Sequence, residues 1–291
     1  MTTYQATEIK AGGGLERGRV YQPSMVGVMR AVHLGFLRGG LEIRQFYRNR
    51  PQLGFGFAMP IVMLVLLSSV FAGSGTQDGA TIQQMFLSGM LGLGVLGSSF
   101  QTLAMQIGGE RRTGALKRLR AMPMPRSSYF IGKTLMVLAV NFAQTFVLLA
   151  VAAAFLHVSL PRTVGAWLTF GWVYAVGITA CSLLGIAYSS LLRDAQSGVM
   201  VILPMTVLQF ISGAYIVFSQ LPRDLQNVAA FFPLKWLCQG LRSVFLPGSF
   251  TALEPAGSWE HGRVALMLGL WAVAGMILCL TTFRWKGRDD G

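Results

Sequence analysis

Apolar residues in this chain are grouped into six long runs that are separated by shorter polar segments. Each run is close to the roughly 20 residues that an α-helix needs to cross the hydrocarbon core of a bilayer. The pattern predicts an all-α integral membrane protein with six transmembrane helices. The predicted spans are Leu53–Phe71, Met85–Ile107, Gly132–Phe155, Val164–Leu192, Val199–Phe218 and Val264–Phe283.

A different periodicity, helical and amphipathic, precedes the first run between Met25 and Arg48. Its basic residues fall in one sector of a helical wheel, and its apolar residues lie largely outside that sector. The pattern predicts an N-terminal amphipathic helix (residues 25–50 with its connection) that lies in the membrane interface. A soluble helix packed on a partner is the alternative, and the pair Gly39-Gly40 is a candidate break. Residues 1–24, polar and glycine-rich, are predicted to form a disordered tail.

The second and third runs are joined by a basic loop, residues 108–130, in which Glu110 is the one acidic residue. Ala115, Leu116 and Leu119 recur at helical spacing, which predicts a short helix with one apolar face. Prolines at 123 and 125 end that helix. An amphipathic helix held between two spans can transmit force to them. The alternative is an ordinary solvated loop.

Composition supports the membrane assignment and gives an orientation. Charged residues make up 12% of the chain and hydrophobic residues 53%, whereas a soluble domain carries about 25% charged residues. Of the 24 Lys and Arg residues, 19 lie on one side of the predicted spans. That side is cytoplasmic by the positive-inside rule, so both termini are predicted inside, with residues 286–291 as a cytoplasmic tail. The net charge of +13 is not a nucleic-acid signal, because no stretch is long enough to form a soluble basic domain.

The external segment, residues 219–262, carries two short apolar-periodic pieces, Pro222–Phe232 and Leu234–Phe245. Each is too short to span a bilayer. The membrane domain is predicted to comprise residues 51–285. The two pieces are predicted to form short helices that either cap this domain or dip into it.

No catalytic or metal-binding constellation is recognisable. The three cysteines and three histidines show no ligand spacing, and no phosphate-binding loop is present. We therefore expect no catalytic residue, no metal and no cofactor in this chain, so that any ATP and Mg²⁺ would be bound by a partner. The polar side chains inside the spans either bond neighbouring helices or line a cavity that meets an amphiphilic substrate. They are Gln101, Gln106, Asn141, Gln144 and Gln209.

Two motifs in this topology resemble those of the permease subunits of ABC type 2 exporters. Residues 110–125, ERRTGALKRLRAMPMP, are similar to the family pattern E-x-x-x-G-T-L-x-x-L-x-x-x-P-x-x, with Ala115 where many members have Thr. Ser212-Gly213, followed by Leu221-Pro222 and Pro233-Leu234, is similar to the family's motifs around its external helices. The resemblance covers nearly the whole chain.

The resemblance implies that residues 110–121 form a coupling helix seated in a groove of a separate cytoplasmic ABC ATPase. Leu116 and Leu119 would be its apolar anchors, and the amphipathic helix would correspond to the family's connecting helix. The residues implied at the coupling helix are Glu110, Arg112, Thr113, Gly114, Leu116, Leu119 and Arg120.

The resemblance also implies that two permease chains, expected to be a homodimer, enclose a cavity lined by the second and fifth spans. Met and Phe side chains there offer adaptable apolar contact, and ordinary lipid or core packing is the alternative for each. The residues implied at this cavity are Met90, Phe100, Gln101, Met205, Gln209, Phe210 and Tyr215.

The function expected from the resemblance is export of a hydrophobic or amphiphilic compound, such as a drug, antibiotic or lipid-like molecule, across a bacterial cytoplasmic membrane. Export of a polysaccharide or glycolipid by the same mechanism remains an alternative. A non-transporting membrane sensor or assembly component is a second alternative, and a membrane enzyme is disfavoured by the missing catalytic constellation.

Overall fold

Long α-helices make up most of the computed structural model, which describes residues 25–71, 81–121, 125–192 and 197–282. Eleven α-helices and no strands occur within these ranges. The predicted tails at residues 1–24 and 286–291 lie outside them. The helices are α1 Met25–Arg48, α2 Arg50–Val70, α3 Ile82–Val95, α4 Thr102–Arg112, α5 Ala115–Ala121, α6 Arg126–Phe155, α7 Val164–Tyr188, α8 Ser197–Ile211, α9 Arg223–Phe231, α10 Pro233–Phe245 and α11 His261–Thr282.

Four helical stretches within the described ranges are long and apolar enough to cross a membrane. They are Ile82–Arg112, Ser127–Phe155, Val164–Leu191 and His261–Thr282, and they correspond to four of the predicted spans. The first and fifth predicted runs form shorter apolar helices, Gly56–Val70 and Gly198–Ile211. The chain is thus a multi-pass membrane protein, while the number of six spans stays a prediction.

The fifth run ends earlier than the sequence pattern predicts, at Ile211 instead of Phe218. The cause is local: Gly213 adopts φ +78°, a left-handed conformation that turns the chain out of the helix. This turn packs tightly on α3, because a Cβ added to Gly89 would lie 2.2 Å from the carbonyl oxygen of Ala214.

Helix α1 is continuous through Gly39-Gly40, so the candidate break is not present. Gly35 and Gly39 allow α1 to lie closely against α6, where they face Ile131 and Leu135. The buried stripe of α1 therefore consists of small residues together with Glu42 and Phe46. Phe36, which belongs to the apolar part of the helix, is 60% exposed. The outward apolar side chains are compatible with a membrane interface, which stays a prediction.

A π-helical segment, Leu96–Gln101, joins α3 and α4 into one rod. The rod packs on α7 where Gly185 meets the backbone of Phe100; a Cβ on Gly185 would lie 2.6 Å from that carbonyl oxygen. Behind the rod, α10 packs against α3, α7 and α11 and is buried along most of its length. Two large aromatic side chains of α10, Trp236 and Phe245, are 7% and 4% exposed and belong to the core.

Candidate functional site: the basic junction and the cavity

The predicted coupling segment is divided between two helices. Glu110 and Arg112 belong to the last turn of α4, and Thr113-Gly114 form a turn in which Gly114 has φ +70°. Only Leu116, Leu119 and Arg120 of the implied residues lie on α5. The prediction of a single helix over residues 110–121 is therefore wrong, because Gly114 in its left-handed conformation changes the direction of the chain.

Helix α5 turns its apolar face towards this chain. Leu116 is 1% exposed and belongs to the main hydrophobic core, and Leu119 is half-buried against the same core. The position of Leu116 is inconsistent with its implied role as an anchor inserted into an ATPase groove. Its burial instead fixes α5 to the body of the protein.

Residues 110–121, where α4 turns into α5, are called the junction below. The outward surface of the junction is polar and basic. Arg112, Thr113, Lys117 and Arg118 are exposed, and the side chain of Arg120 lies outside the described part of the chain. Arg111 anchors the end of α4 by donating a hydrogen bond of 3.0 Å from Nη1 to the carbonyl oxygen of Ser189. The junction thus presents positive charge on a short helix whose inner face is fixed.

A buried ion cluster lies directly behind the junction. Lys133 of α6 is 1% exposed, and its Nζ lies 2.7 Å from Oε2 of Glu42 and 2.6 Å from Oε1 of Glu110. The same ammonium group donates to Oε1 of Gln106 at 3.2 Å. Lysine has three donors, so each finds an acceptor, and these acceptors come from α1 and α4.

The rest of the cluster completes both carboxylates. Arg38 Nη2 donates to Oε1 of Glu42 at 3.0 Å, and the Tyr129 hydroxyl donates to Oε2 of Glu110 at 2.7 Å. All four carboxylate oxygens therefore accept a hydrogen bond, and the two cations balance the two anions. A buried polar network that is satisfied in this way orders the groups it contains.

A cavity of about 850 Å³ begins beside this cluster and is bounded by α2, the α3–α4 rod, α6 and α8. No charged residue is among the described residues that line it. Four methionines supply flexible apolar surface, and five amide side chains supply hydrogen-bonding groups. The methionines are Met59, Met63, Met90 and Met105, and the amides are Asn49, Gln101, Gln106, Gln144 and Gln209.

The predicted substrate cavity lies between two chains and stays a prediction. Of the seven residues implied there, Met90, Gln101, Gln209 and Tyr215 line this space within one chain. The structure does not bring Phe100, Met205 and Phe210 to it. Phe100 packs on the ring of Tyr188 because the π-helical segment turns it towards α7. Met205 is 2% exposed in the core, and Phe210 is 56% exposed on the outside of α8.

The polar residues inside the spans divide between the two roles left open by the sequence. Asn141 is buried and donates to the Ser99 hydroxyl at 3.1 Å, so it joins α6 to the π-helical segment. Gln144 lines the cavity and also donates to the carbonyl oxygen of Gly56 at 2.9 Å, which joins α6 to α2.

Buried charges also occur at the other end of the chain. Arg242 Nε lies 2.7 Å from Oε1 of Glu254, with both side chains 2% exposed, and Arg242 Nη1 donates to the carbonyl oxygen of Gly213 at 3.0 Å. Lys235 donates to Gln239, and burial lowers the pKa of Lys235 to about 8, although Glu254 and Glu260 oppose this shift. Loss of hydration disfavours the charged ammonium.

Sequence reasoning identified neither Glu42 nor Lys133 as a residue of the site. A signal was present, because Glu42 and Glu110 are the lone acids of two strongly basic segments. An isolated acid among cations is a candidate for a specific ion pair. The partner remained hidden, since the contact joins residues 91 positions apart.

The architecture is that of a helical membrane protein with a basic junction between α4 and α5 and an internal cavity, as expected of a transporter subunit. Residues 41–246, well over half of the chain, match the model of the ABC-2 type transporter family. The chain belongs to this family. No individual curated protein matches it. Members of the family generally pair with a cytoplasmic ABC ATPase.

Proposed function

We propose that this chain is the permease subunit of an ATP-driven exporter and that it moves a hydrophobic or amphiphilic small molecule outward. The observation that carries the proposal is the uncharged cavity bounded by α2, the rod, α6 and α8. Its methionines adapt to varied apolar shapes, and its amides bind polar groups on an otherwise apolar molecule. A volume of about 850 Å³ suits a drug-sized or single-lipid substrate better than a long glycan.

Six membrane crossings are part of this proposal. The whole of α2 has 21 residues, which gives a length of about 31 Å and matches the hydrocarbon thickness. Helix α8 has 15 residues and reaches about 22 Å, and the turn that follows it carries the chain further. Both termini then lie in the cytoplasm of a bacterial cell, and two copies of the chain form the working transporter.

ATP hydrolysis is assigned to the partner, and this chain has no catalytic role. The docking surface is the exposed basic side of the junction, Arg112, Thr113, Lys117 and Arg118. The complementary groove on the ATPase is therefore acidic at its rim, because opposite charges guide and orient docking.

Charge reversal tests this docking surface. We expect Arg112→Glu with Arg118→Glu to reduce recovery of the ATPase with the affinity-purified permease by at least tenfold, since repulsion replaces attraction. Both side chains are exposed, so the permease itself folds. The matched control is Arg162→Glu with Arg223→Glu, two exposed cations on the predicted external side. Equal recovery from both double variants would contradict the assignment.

Filling the cavity tests its role in export. Overproduction of the wild type is expected to raise resistance of the cells to a panel of uncharged amphiphilic antibiotics. Met63→Trp places a larger ring in the cavity lining, and we expect it to remove most of that resistance. Leu270→Trp on the exposed side of α11 is the control. If Met63→Trp protects the cells as well as Leu270→Trp does, the cavity is not the substrate route.

A further inference from the structure

Lys133 is positioned to link the cavity to the junction. It contacts Gln106, which lines the cavity, and Glu110, which lies three residues before the turn to α5. Gln106 and Glu110 are four residues apart on α4, so they lie on one face of that helix. The ammonium group of α6 thus holds two successive turns of the helix that leads to α5.

The packing around Lys133 indicates why this contact matters. Helices α1 and α6 pack closely along their length without it, through Gly35 and Gly39. The backbone of α4, in contrast, approaches α7 much more extensively than it approaches α6. The cytoplasmic end of α4 is therefore joined to the α1–α6 pair chiefly by side chains, and Lys133 is central among them.

The cavity occupies the same gap. Its lining includes Gln106 from α4, Gln144 from α6 and Phe46 near the end of α1. A change in the position of α4 relative to α6 would alter the width of this space. Because the Lys133 ammonium and both carboxylates of the cluster are fully hydrogen-bonded, their relative positions are defined, and the cluster transmits a displacement instead of absorbing it.

We infer that Lys133 is a positioning residue that makes the cavity respond to the ATPase docked at α5, an inference that rests on the proposed function. Movement of α5 passes through its buried Leu116 and the Thr113-Gly114 turn to the last turn of α4. The ion pairs of Lys133 transmit this movement to α6 and α1. Because Gln106 lines the cavity and contacts Lys133, the same movement changes the width of the cavity.

A charge-balanced variant separates this role from simple stabilisation. Lys133→Met with Glu110→Gln removes one cation and one anion, and it leaves the Arg38–Glu42 pair in place. No buried charge is left unpaired, which avoids the main cost of breaking such a cluster. Lys133→Arg keeps the charge and serves as the conservative variant.

The experiment measures cavity accessibility and does not need the substrate. Ile202 lines the cavity and is 47% exposed, so Ile202→Cys provides a labelling site. The permease and its co-purified ATPase are placed in lipid nanodiscs and labelled with a small maleimide, without nucleotide and with ATP plus vanadate. The chain without the added cysteine gives the background from Cys181, Cys238 and Cys279.

We expect ATP plus vanadate to change the labelling rate several-fold in the Ile202→Cys protein and in its Lys133→Arg form. The charge-balanced variant is expected to lose at least four fifths of that change while retaining the ATPase. A full response in the charge-balanced variant would overturn the inference. Absence of an ATPase, or of any response in the parent protein, would instead count against the proposed function.

A second variant decides the case in which the charge-balanced protein does not fold. Gln106→Leu keeps every ion pair and removes only the link from Lys133 to the cavity. We expect it to reduce the ATP-dependent change in labelling at least twofold. A parental response in Gln106→Leu would overturn the inference on its own.

Discussion

The two buried charge clusters of this protein differ in the distance along the chain that they bridge. The cluster on the predicted cytoplasmic side, called the cytoplasmic cluster below, joins Lys133 to partners 91 and 23 residues away, on α1 and α4. In the cluster on the predicted external side, called the external cluster below, the longest link is shorter than 91 residues: Arg242 pairs with Glu254, 12 residues on, and donates to the carbonyl oxygen of Gly213, 29 residues back. Lys235 donates to Gln239, one helical turn on. The first cluster therefore connects three separate helices, α1, α4 and α6, whereas the second fixes α10 to the segment that follows it and to the turn that ends α8.

Their surroundings differ in the same sense. The cytoplasmic cluster lies between an exposed helix and a cavity. The external pair is enclosed by the core, and Arg242 also holds the turn at Gly213 that ends α8. A buried ion pair therefore has no fixed role. The elements that it connects decide whether it stabilises the fold or transmits movement between helices.

Breaking the external pair is expected to have the largest effect on stability. Arg242→Met leaves a buried carboxylate at Glu254 without its partner, which costs about 3–5 kcal/mol. We expect most of the protein to be lost from the folded peak in size-exclusion chromatography after extraction. Arg242→Met with Glu254→Gln removes both charges and is expected to recover much of it.

The control for that prediction is Arg263→Met, which breaks the Arg263–Glu260 pair at a side chain that is 70% exposed. An exposed pair contributes roughly 0–1 kcal/mol. Equal folded yields from Arg242→Met and Arg263→Met would mean that the external pair does not hold the fold.

Glycine packing gives a smaller contrast between the two regions. A Cβ at Gly89 would lie 2.2 Å from the backbone oxygen of Ala214, beside the external pair, and backbone cannot easily move. A Cβ at Gly132 would lie 3.0 Å from Cγ of Arg38, a flexible side chain of the cytoplasmic cluster. We expect Gly89→Ala to cost about 1–3 kcal/mol and Gly132→Ala clearly less, measured by thermal unfolding in detergent.

Gly269→Ala is the reference for these variants, because a Cβ there meets open space. It is expected to be neutral or slightly stabilising, since Ala favours a helix over Gly. The contrast fails if Gly132→Ala is destabilised as much as Gly89→Ala.

A further expected effect, smaller than that of breaking the external pair, is a pH dependence from Lys235. Its pKa is lowered to about 8 in the fold, so the folded state favours the neutral amine. Between pH 8 and the ordinary lysine pKa the unfolded chain binds more protons, and stability rises with pH by at most about 3 kcal/mol. Below pH 8 both states are charged and the contribution no longer changes.

We therefore expect the thermal stability of the wild type, relative to Lys235→Met, to increase from pH 7 to pH 9.5. Using the difference between the two proteins cancels titration of other groups. A difference that stays constant across this range would show that Lys235 does not lose its proton in the fold.

The sequence predicted the helical elements well where periodicity alone determines them. Helix α1 has the predicted bounds, and the two short helices predicted for residues 219–262 form as α9 and α10. Hydrophobic patterning is a local signal, so it locates helices without their neighbours. It did not predict the π-helical segment at residues 96–101 or the early end of α8, which depend on the contacts of Gly185 and Gly213.

The site was predicted less completely, for a physical reason. Met90 and Gln101 line the cavity within one chain, but Phe100 between α3 and α4 does not. The cavity between two chains stays a prediction. A π-helical turn adds a residue and rotates the side chains that follow, which helical spacing cannot show. Leu116 was assigned to a partner because an apolar face on a short helix does not reveal which chain covers it.

The most direct test of the difference between the clusters is the ATP-dependent labelling of Ile202→Cys, measured in two charge-balanced variants side by side. One carries Lys133→Met with Glu110→Gln, and the other carries Arg242→Met with Glu254→Gln. We predict that ATP plus vanadate changes labelling in the external variant almost as in the parent, and that the cytoplasmic variant loses most of the change. Equal responses in the two variants would contradict the account.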